Sequence, residues 1–129
     1  MTQQSFSPNG KHYVRRRVGG ELGMGAPQWG YISVNDGAEL RCLSSDVIWS
    51  EDSEFVAFVE WHVDDVPNRK GAEGMTSRVL VHRLSDGHRR SFLGNVGLAR
   101  VKLLGFSEGN LSLLVNGERR EIQIAKANW

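Results

Sequence analysis

The feature that most constrains the fold of this chain is the alternation of short apolar runs with turns that contain glycine. Asn35-Asp36-Gly37, Ser85-Asp86-Gly87 and Asn116-Gly117 each lie between two strand-like runs. Asn, Asp and Gly tolerate the positive φ that tight hairpin loops require, so each turn predicts a β-hairpin. The runs are rich in β-branched and aromatic residues: YISV (31–34), FVAFVEWHV (55–63), RVLVHRL (78–84), RVKLLGF (100–106), LSLLV (111–115) and EIQI (121–124).

The rest of the pattern favours one all-β domain, residues 1–129, with little or no helix. The best helical candidate, residues 38–49, is short, and its ELRCL portion fits a strand equally well. Fifteen glycines in 129 residues favour many tight turns. Two Gly-rich segments, residues 19–30 and 66–77, are predicted to be loops long enough to carry a function.

An aromatic residue followed by serine occurs three times, at Phe6-Ser7, Trp49-Ser50 and Phe106-Ser107, each time before a polar turn and a new apolar run. The first copy reads FSPNGK. It resembles the FSPDGK signature of Trp-Asp-like β-propeller blades, as in TolB-type propellers, with Asn9 in place of Asp. The resemblance covers most of the chain in outline and these six residues closely. It implies blade-like antiparallel units at about 5–45, 46–98 and 99–129.

A closed propeller needs at least four blades, whereas this sequence holds two full units and a shortened third. We therefore expect a partial propeller, a twisted sheet packed on itself, or a homodimer in which two copies complete a ring. A simpler interpretation is that an aromatic-Ser turn is a common feature of hairpins. The resemblance implies no active site, since the prolyl peptidases, whose propeller domains carry the same signature, have their catalytic residues in a separate hydrolase domain.

Charge is unevenly distributed although the formal net charge is only +1. Residues 49–66 carry six acidic residues and no Lys or Arg, and residues 67–105 carry an excess of six positive charges. The two segments are expected to pair across neighbouring strands or to form a polarised surface that meets a charged partner. The small net charge argues against nucleic-acid binding. In the basic clusters 15–17 and 88–90, strand alternation would split the charges between two faces.

No motif predicts catalysis, a metal or a cofactor. The loop GGELGMG has no following Lys-Ser/Thr, as a phosphate loop would need. His62 and Asp64 would share one face of a strand, but a metal or acid–base site would need further ligands. A small-ligand or enzymatic site near the Gly-rich loops therefore remains the alternative. The single Cys42, the absence of a signal sequence and the absence of a long apolar run predict a cytoplasmic protein that spans no membrane.

These observations predict a non-catalytic module that binds another protein. The expected contact residues lie in and beside the acidic segment: Glu51, Asp52, Glu54, Trp61, Asp64 and Asp65. A bacterial immunity protein that neutralises a toxin by direct binding is the concrete form of this hypothesis. It rests on size, compartment and the lack of catalytic motifs.

Overall fold

The computed structural model of the chain describes residues 2–21, 28–63, 75–92 and 101–125. These ranges contain strands and turns but no helix, so the predicted all-β fold with antiparallel sheets is confirmed. The strands are β1 (Thr2–Phe6), β2 (Tyr13–Glu21), β3 (Gln28–Val34), β4 (Leu40–Trp49), β5 (Phe55–Val63), β6 (Met75–Arg83), β7 (Arg89–Phe92), β8 (Val101–Ser107), β9 (Asn110–Val115) and β10 (Glu118–Gln123).

The three predicted hairpins form where the turn residues occur. Asn35 and Asp36 connect β3 to β4 with φ of 51° and 59°, and Gly87 adopts φ of 73° between β6 and β7. Asn116 and Gly117 form the two-residue loop between β9 and β10, with φ of 51° and 85°. Positive φ at both residues is what a type I′ hairpin turn requires, and Asn-Gly is its preferred pair.

The strands form two sheets, and within each sheet neighbouring strands are consecutive in the chain. One sheet has the order β1-β2-β3-β4-β5-β6-β7, and the other has the order β10-β9-β8. Strand β4 pairs irregularly with its two neighbours. Leu40 to Cys42 pair with β3, whereas Cys42 and then Val47 to Trp49 pair with β5. The register shifts between Cys42 and Val47. The predicted unit boundary near residue 45 lies at this irregularity, and the boundary near residue 98 lies outside the described residues.

The larger sheet folds back on itself around β4. In a flat sheet, β2 and β6 would lie four strand spacings apart, on the order of 19 Å. Instead, one buried cluster combines residues of β2 and β3 with residues of β5 and β6: Val14, Ile32, Val34, Cys42, Val56, Phe58 and Leu80. Hydrogen bonds also join parts that are distant in the strand order, from Trp49 Nε1 to Ser5 Oγ and from Asn9 N–H to Ser53 Oγ. The first half of the sheet therefore packs face to face on the second half. We call this contact the first seam.

The second half of the large sheet also packs on the three-stranded sheet. This second seam is formed by Phe55, Ala57, Val59, Val79 and Val81 on one side and Leu103, Leu111, Leu113, Val115 and Ile124 on the other. Strand β5 serves both seams, because Val56 and Phe58 point to one side and their neighbours to the other. Each large apolar side chain that becomes fully buried stabilises the fold by about 1.5–3 kcal/mol. The three layers are therefore held together by β5 in the middle.

Candidate functional site: an acidic groove

The repeated aromatic-Ser motif forms the same turn in its first two copies. After Phe6, Ser7 Oγ donates to Asn9 Oδ1 at 2.7 Å, and the backbone N–H of Lys11 donates to the same oxygen at 3.0 Å. After Trp49, Ser50 Oγ donates to Asp52 Oδ1 at 2.7 Å, and Glu54 N–H donates to it at 3.0 Å. Asn and Asp favour such turns because their side-chain oxygen caps nearby backbone donors.

Each serine of these turns also accepts a hydrogen bond from the strand that follows. Ser7 Oγ accepts the N–H of His12 at 3.1 Å, and Ser50 Oγ accepts the N–H of Phe55 at 2.9 Å. The two turns contact each other, because Asn9 N–H donates to Ser53 Oγ at 3.0 Å. The sequence motif therefore specifies a hydrogen-bonded unit and places the Asn9 and Asp52 turns side by side.

The third copy has a tighter turn. Glu108 and Gly109 form a two-residue loop between β8 and β9, with φ of 53° and 79°. The carbonyl of Gly109 accepts the N–H groups of Ile124 and Ala125, both at 3.0 Å. A Cβ at position 109 would lie 2.8 Å from the Ala125 Cβ. Glycine is therefore needed at this position both for its φ and for the close approach of residues 124–125.

A groove of about 210 Å³ opens between the second and third turns. Its lining is formed by Ser50, Glu51, Asp52, Phe55, Phe106, Ser107, Glu108, Gly109 and Ala125. The rings of Phe55 and Phe106 stack with centroids 6.4 Å apart and an interplanar angle of 18°. The groove thus combines an aromatic pair with three carboxylates. We call it the acidic groove.

The electrostatic character of the acidic groove is negative. Glu51, Asp52 and Glu108 contribute carboxylates, and no described residue of its lining is Lys or Arg. The Ser50 hydroxyl and the Glu54 N–H hydrogen-bond the Asp52 carboxylate and hold its pKa below the usual range. Hydrogen bonds to the charged form of a carboxyl group favour ionisation. Asp52 therefore has two roles, closing its turn and supplying a fixed negative charge.

The structure brings together part of the predicted contact set. Glu51 and Asp52 are exposed and line the acidic groove. Glu54 is half-buried outside it, where its carbonyl accepts the N–H of Leu84 at 2.8 Å. For Trp61 only the backbone is described, paired with Ser77 on β6.

Two of the predicted contact residues, Asp64 and Asp65, lie outside the described residues, so their role stays a prediction. Glu108 also lines the acidic groove but was not among the predicted contact residues. Its signal was present, because Glu108 follows the third aromatic-Ser pair as Glu51 follows the second.

The acidic and basic segments meet in part across β5 and β6. Glu60 stands directly opposite Arg78 in the register of these strands. The hydrogen bond that Arg83 donates to Asp86 is the main cause that raises the pKa of Arg83, and the charge of Glu54 acts in the same direction. Within the described residues, Glu51 and Asp52 make no ion pair. Among the described acidic residues of this segment, Glu51 and Asp52 are therefore the ones whose charges face outward.

The basic cluster at residues 15–17 divides between two faces, as strand alternation predicts. Arg15 and Arg17 are exposed, whereas Arg16 is buried in the first seam, where its charge acts on the Cys42 thiol. Burial outweighs this charge and raises the pKa of Cys42. On the exposed face, Arg15 pairs with Asp36 at 3.1 Å and Arg17 with Glu39 at 2.8 Å. This face is consequently close to neutral.

The alternative small-ligand site near His62 and Asp64 falls largely outside the described part of the chain. Within the described ranges, no three His, Cys, Asp or Glu side chains are grouped as metal ligands. Nor do these ranges contain a helix that is long and apolar enough to cross a bilayer. No protein-family model matches the sequence, and neither curated proteins nor solved structures give a significant match.

Proposed function

We propose that this protein is a non-catalytic module that binds another protein through the acidic groove. The observation that carries the proposal is the position of Glu51, Asp52 and Glu108 around the stacked rings of Phe55 and Phe106. Carboxylates above an aromatic surface suit a Lys or Arg side chain, because its methylene stem packs on the rings while its charged end meets the acids. A protein partner would supply such a side chain from a basic surface.

The arrangement of the turns supports recognition by a preorganised surface. The turn oxygens of Ser50 and Asp52 are fixed by hydrogen bonds, and Gly109 is held against residues 124–125. A surface that is already ordered loses little conformational entropy on binding. Acidic side chains around the opening would also attract a basic partner before contact and raise its association rate.

The kinship with propeller blades is part of this proposal. The matching hydrogen bonds at Asn9 and Asp52 and the face-to-face seams support it. The first and second layers differ, however, at matching positions of the repeat. Val56 and Phe58 lie inside the first seam, whereas Tyr13 and Arg15, which match them on the first layer, face away from it. A polar outer face suits an end layer that meets solvent. This favours a partner at the acidic groove over a second copy stacked on the first layer to complete a ring.

Neutralisation of a bacterial toxin is the specific form of binding that we propose. A small cytoplasmic protein that covers a basic surface of a toxin would block it without any chemistry of its own. The supporting features are the acidic groove and the outward charges of Glu51 and Asp52. The first step of the test is affinity purification of the tagged protein from its native cells, followed by mass spectrometry of the bound proteins.

The decisive step measures the affinity of the purified partner for single charge reversals. Glu51→Lys and Glu108→Lys should each weaken binding at least tenfold, because each replaces an attraction in the groove by a repulsion. Glu118→Lys is the matched control, since Glu118 is exposed at the opposite end of β9, and it should change affinity less than twofold. Equal effects of all three variants would refute the groove as the contact site. The toxin-neutralising form would be established if expression of the partner alone harms cells and co-expression of this protein protects them.

A further inference from the structure

Four strands form the edges of the two described sheets: β1 and β7 in the larger sheet, β8 and β10 in the smaller. An edge strand presents backbone N–H and C=O groups that another extended chain can pair with. Proteins normally protect such edges with charged side chains, with bulges or by keeping the strand short. The four edges of this protein differ sharply in this protection.

Three of the edges are protected. Strand β10 begins with four charged residues in a row, and β7 has only four residues, of which the first two are arginines. Strand β8 carries Lys102 and a register shift between Leu103 and Gly105. These features discourage pairing with a further strand.

The β1 edge has no such protection. Its sequence, TQQSF, contains no charged residue and no proline, and its pairing with β2 is regular from Thr2 to Phe6. Gln3 and Gln4 are exposed, and the Phe6 side chain is 59% exposed although it is large and apolar. The strand is therefore an uncharged, regular edge that ends in an accessible aromatic ring.

The hydrogen-bond pattern shows which backbone groups of β1 face outward. Ser7 N–H donates to the carbonyl of His12 at 2.9 Å. Because bonded and non-bonded pairs alternate in an antiparallel ladder, Ser5 and Gln3 bond to β2, whereas Thr2, Gln4 and Phe6 direct their backbone groups to the edge that no described strand pairs with. Tyr13, which stands opposite Phe6, follows the same pattern. Its N–H and C=O both hydrogen-bond Asn35 and so point away from β1.

A cavity of about 120 Å³ lies beside the same strand. Its lining consists of Gln3, Gln4, Ser5, Val14, Arg16 and Val47. When a peptide adds a strand to a sheet edge, backbone bonds supply affinity and a pocket for alternate side chains supplies selectivity. The amide groups of Gln3 and Gln4 and the hydroxyl of Ser5 in this lining suit a short polar side chain.

We propose that the β1 edge binds an extended segment of a protein partner, which adds a strand to the larger sheet beside Thr2, Gln4 and Phe6. A short polar side chain of that segment enters the cavity beside Gln4. This surface is separate from the acidic groove, and the proposal does not depend on the groove being used.

Two proline variants separate edge pairing from folding. Gln4→Pro removes an outward N–H and spares the bonds between β1 and β2. Arg119→Pro is the matched control. Glu118 closes the β9–β10 loop by pairing with Val115, so the next residue, Arg119, directs its N–H away from β9. Circular dichroism should show folded β structure in both variants.

The probe is a display library of random linear octapeptides, selected on the wild-type protein alone. Enriched peptides should bind the wild type and Arg119→Pro within twofold of each other, and bind Gln4→Pro at least tenfold more weakly. Methylation of successive peptide amides should reduce binding at every second position, because only alternate N–H groups face the edge. Glu51→Lys should leave this binding unchanged.

Each other outcome would overturn the proposal. The absence of any enriched peptide, equal binding to Gln4→Pro, or an N-methyl scan without alternation would exclude strand addition at β1. The oligomeric state of the wild type, measured by light scattering, tests a second copy as the occupant. A dimer that Gln4→Pro converts to a monomer would identify a second copy, and not a partner segment, as the occupant of the edge.

Discussion

The indole Nε1 of Trp49 donates a hydrogen bond to Ser5 Oγ at 2.9 Å, which joins the end of β4 to β1 across the first seam. The two residues are 44 positions apart in the chain. Trp49 belongs to the second aromatic-Ser motif, and Ser5 immediately precedes the first. The bond therefore holds one copy of the motif against the other.

Removal of this bond should loosen the first seam. Trp49→Phe keeps an aromatic ring but loses the donor, and Ser5→Ala loses the acceptor. Each should lower the free energy of unfolding in urea by about 1 kcal/mol, the usual net value of one hydrogen bond. The double variant should lose less than the sum of the two, because residues in contact are coupled. Additive losses would show that the bond does not contribute.

Phe58 is fully buried in the hydrophobic core of the first seam. Phe58→Ala should lower the free energy of unfolding by about 3–5 kcal/mol, because it leaves a cavity between two apolar surfaces. Phe6→Ala is the matched control, since the same substitution is made at a ring that is 59% exposed. It should cost much less. Similar losses at both positions would contradict the folding back of the larger sheet.

The local structure could be predicted from the sequence to a large extent, because turn chemistry is a local property. Asn35-Asp36 and Asn116-Gly117 require no distant contact to favour a hairpin. A twisted sheet packed on itself was one of the predicted architectures, but the place where the larger sheet folds back was not predicted. It depends on the register shift between Cys42 and Val47 and on contacts between residues that are far apart in the chain.

The candidate site was predicted in part for the same reason. Glu51 and Asp52 were recognised from the acidic segment, which is a local signal. Glu108 lies more than 50 residues away and comes beside them only because Phe106 stacks on Phe55. β1 was not among the predicted strands, since TQQSF lacks apolar alternation and is specified by its pairing with β2.

The two roles of Asp52 can be separated by Asp52→Asn. Asparagine keeps the oxygen that accepts the Ser50 and Glu54 hydrogen bonds, as Asn9 shows in the first turn. The variant should therefore lose less than about 1 kcal/mol of stability, since the hydrogen bonds survive, but should bind the partner several-fold more weakly. Asp52→Ala, which removes both functions, should lower stability and affinity together. Unchanged partner affinity in Asp52→Asn would exclude a direct electrostatic role for this residue.

The last prediction concerns the pH dependence of stability at His82, which is buried on β6. Burial, and next the charge of Arg89, lowers the pKa of His82, with the charge of His12 acting in the same direction and that of Asp86 against it. His82 Nδ1 accepts a hydrogen bond from Arg89 Nε at 3.2 Å, which a proton on that nitrogen would abolish. The unfolded chain therefore takes up this proton more readily than the folded protein.

The titration of His82 therefore does not affect the free energy of unfolding above the ordinary histidine pKa of about 6.5. As the pH falls below that value, protonation of the unfolded chain lowers the free energy of unfolding. We expect the wild type to lose more stability between pH 7.5 and pH 5 than His82→Gln, in which position 82 does not titrate. Urea unfolding of both proteins at several pH values measures the difference, and the other histidines are common to both. Parallel pH profiles would show that His82 does not control the acid sensitivity of the fold.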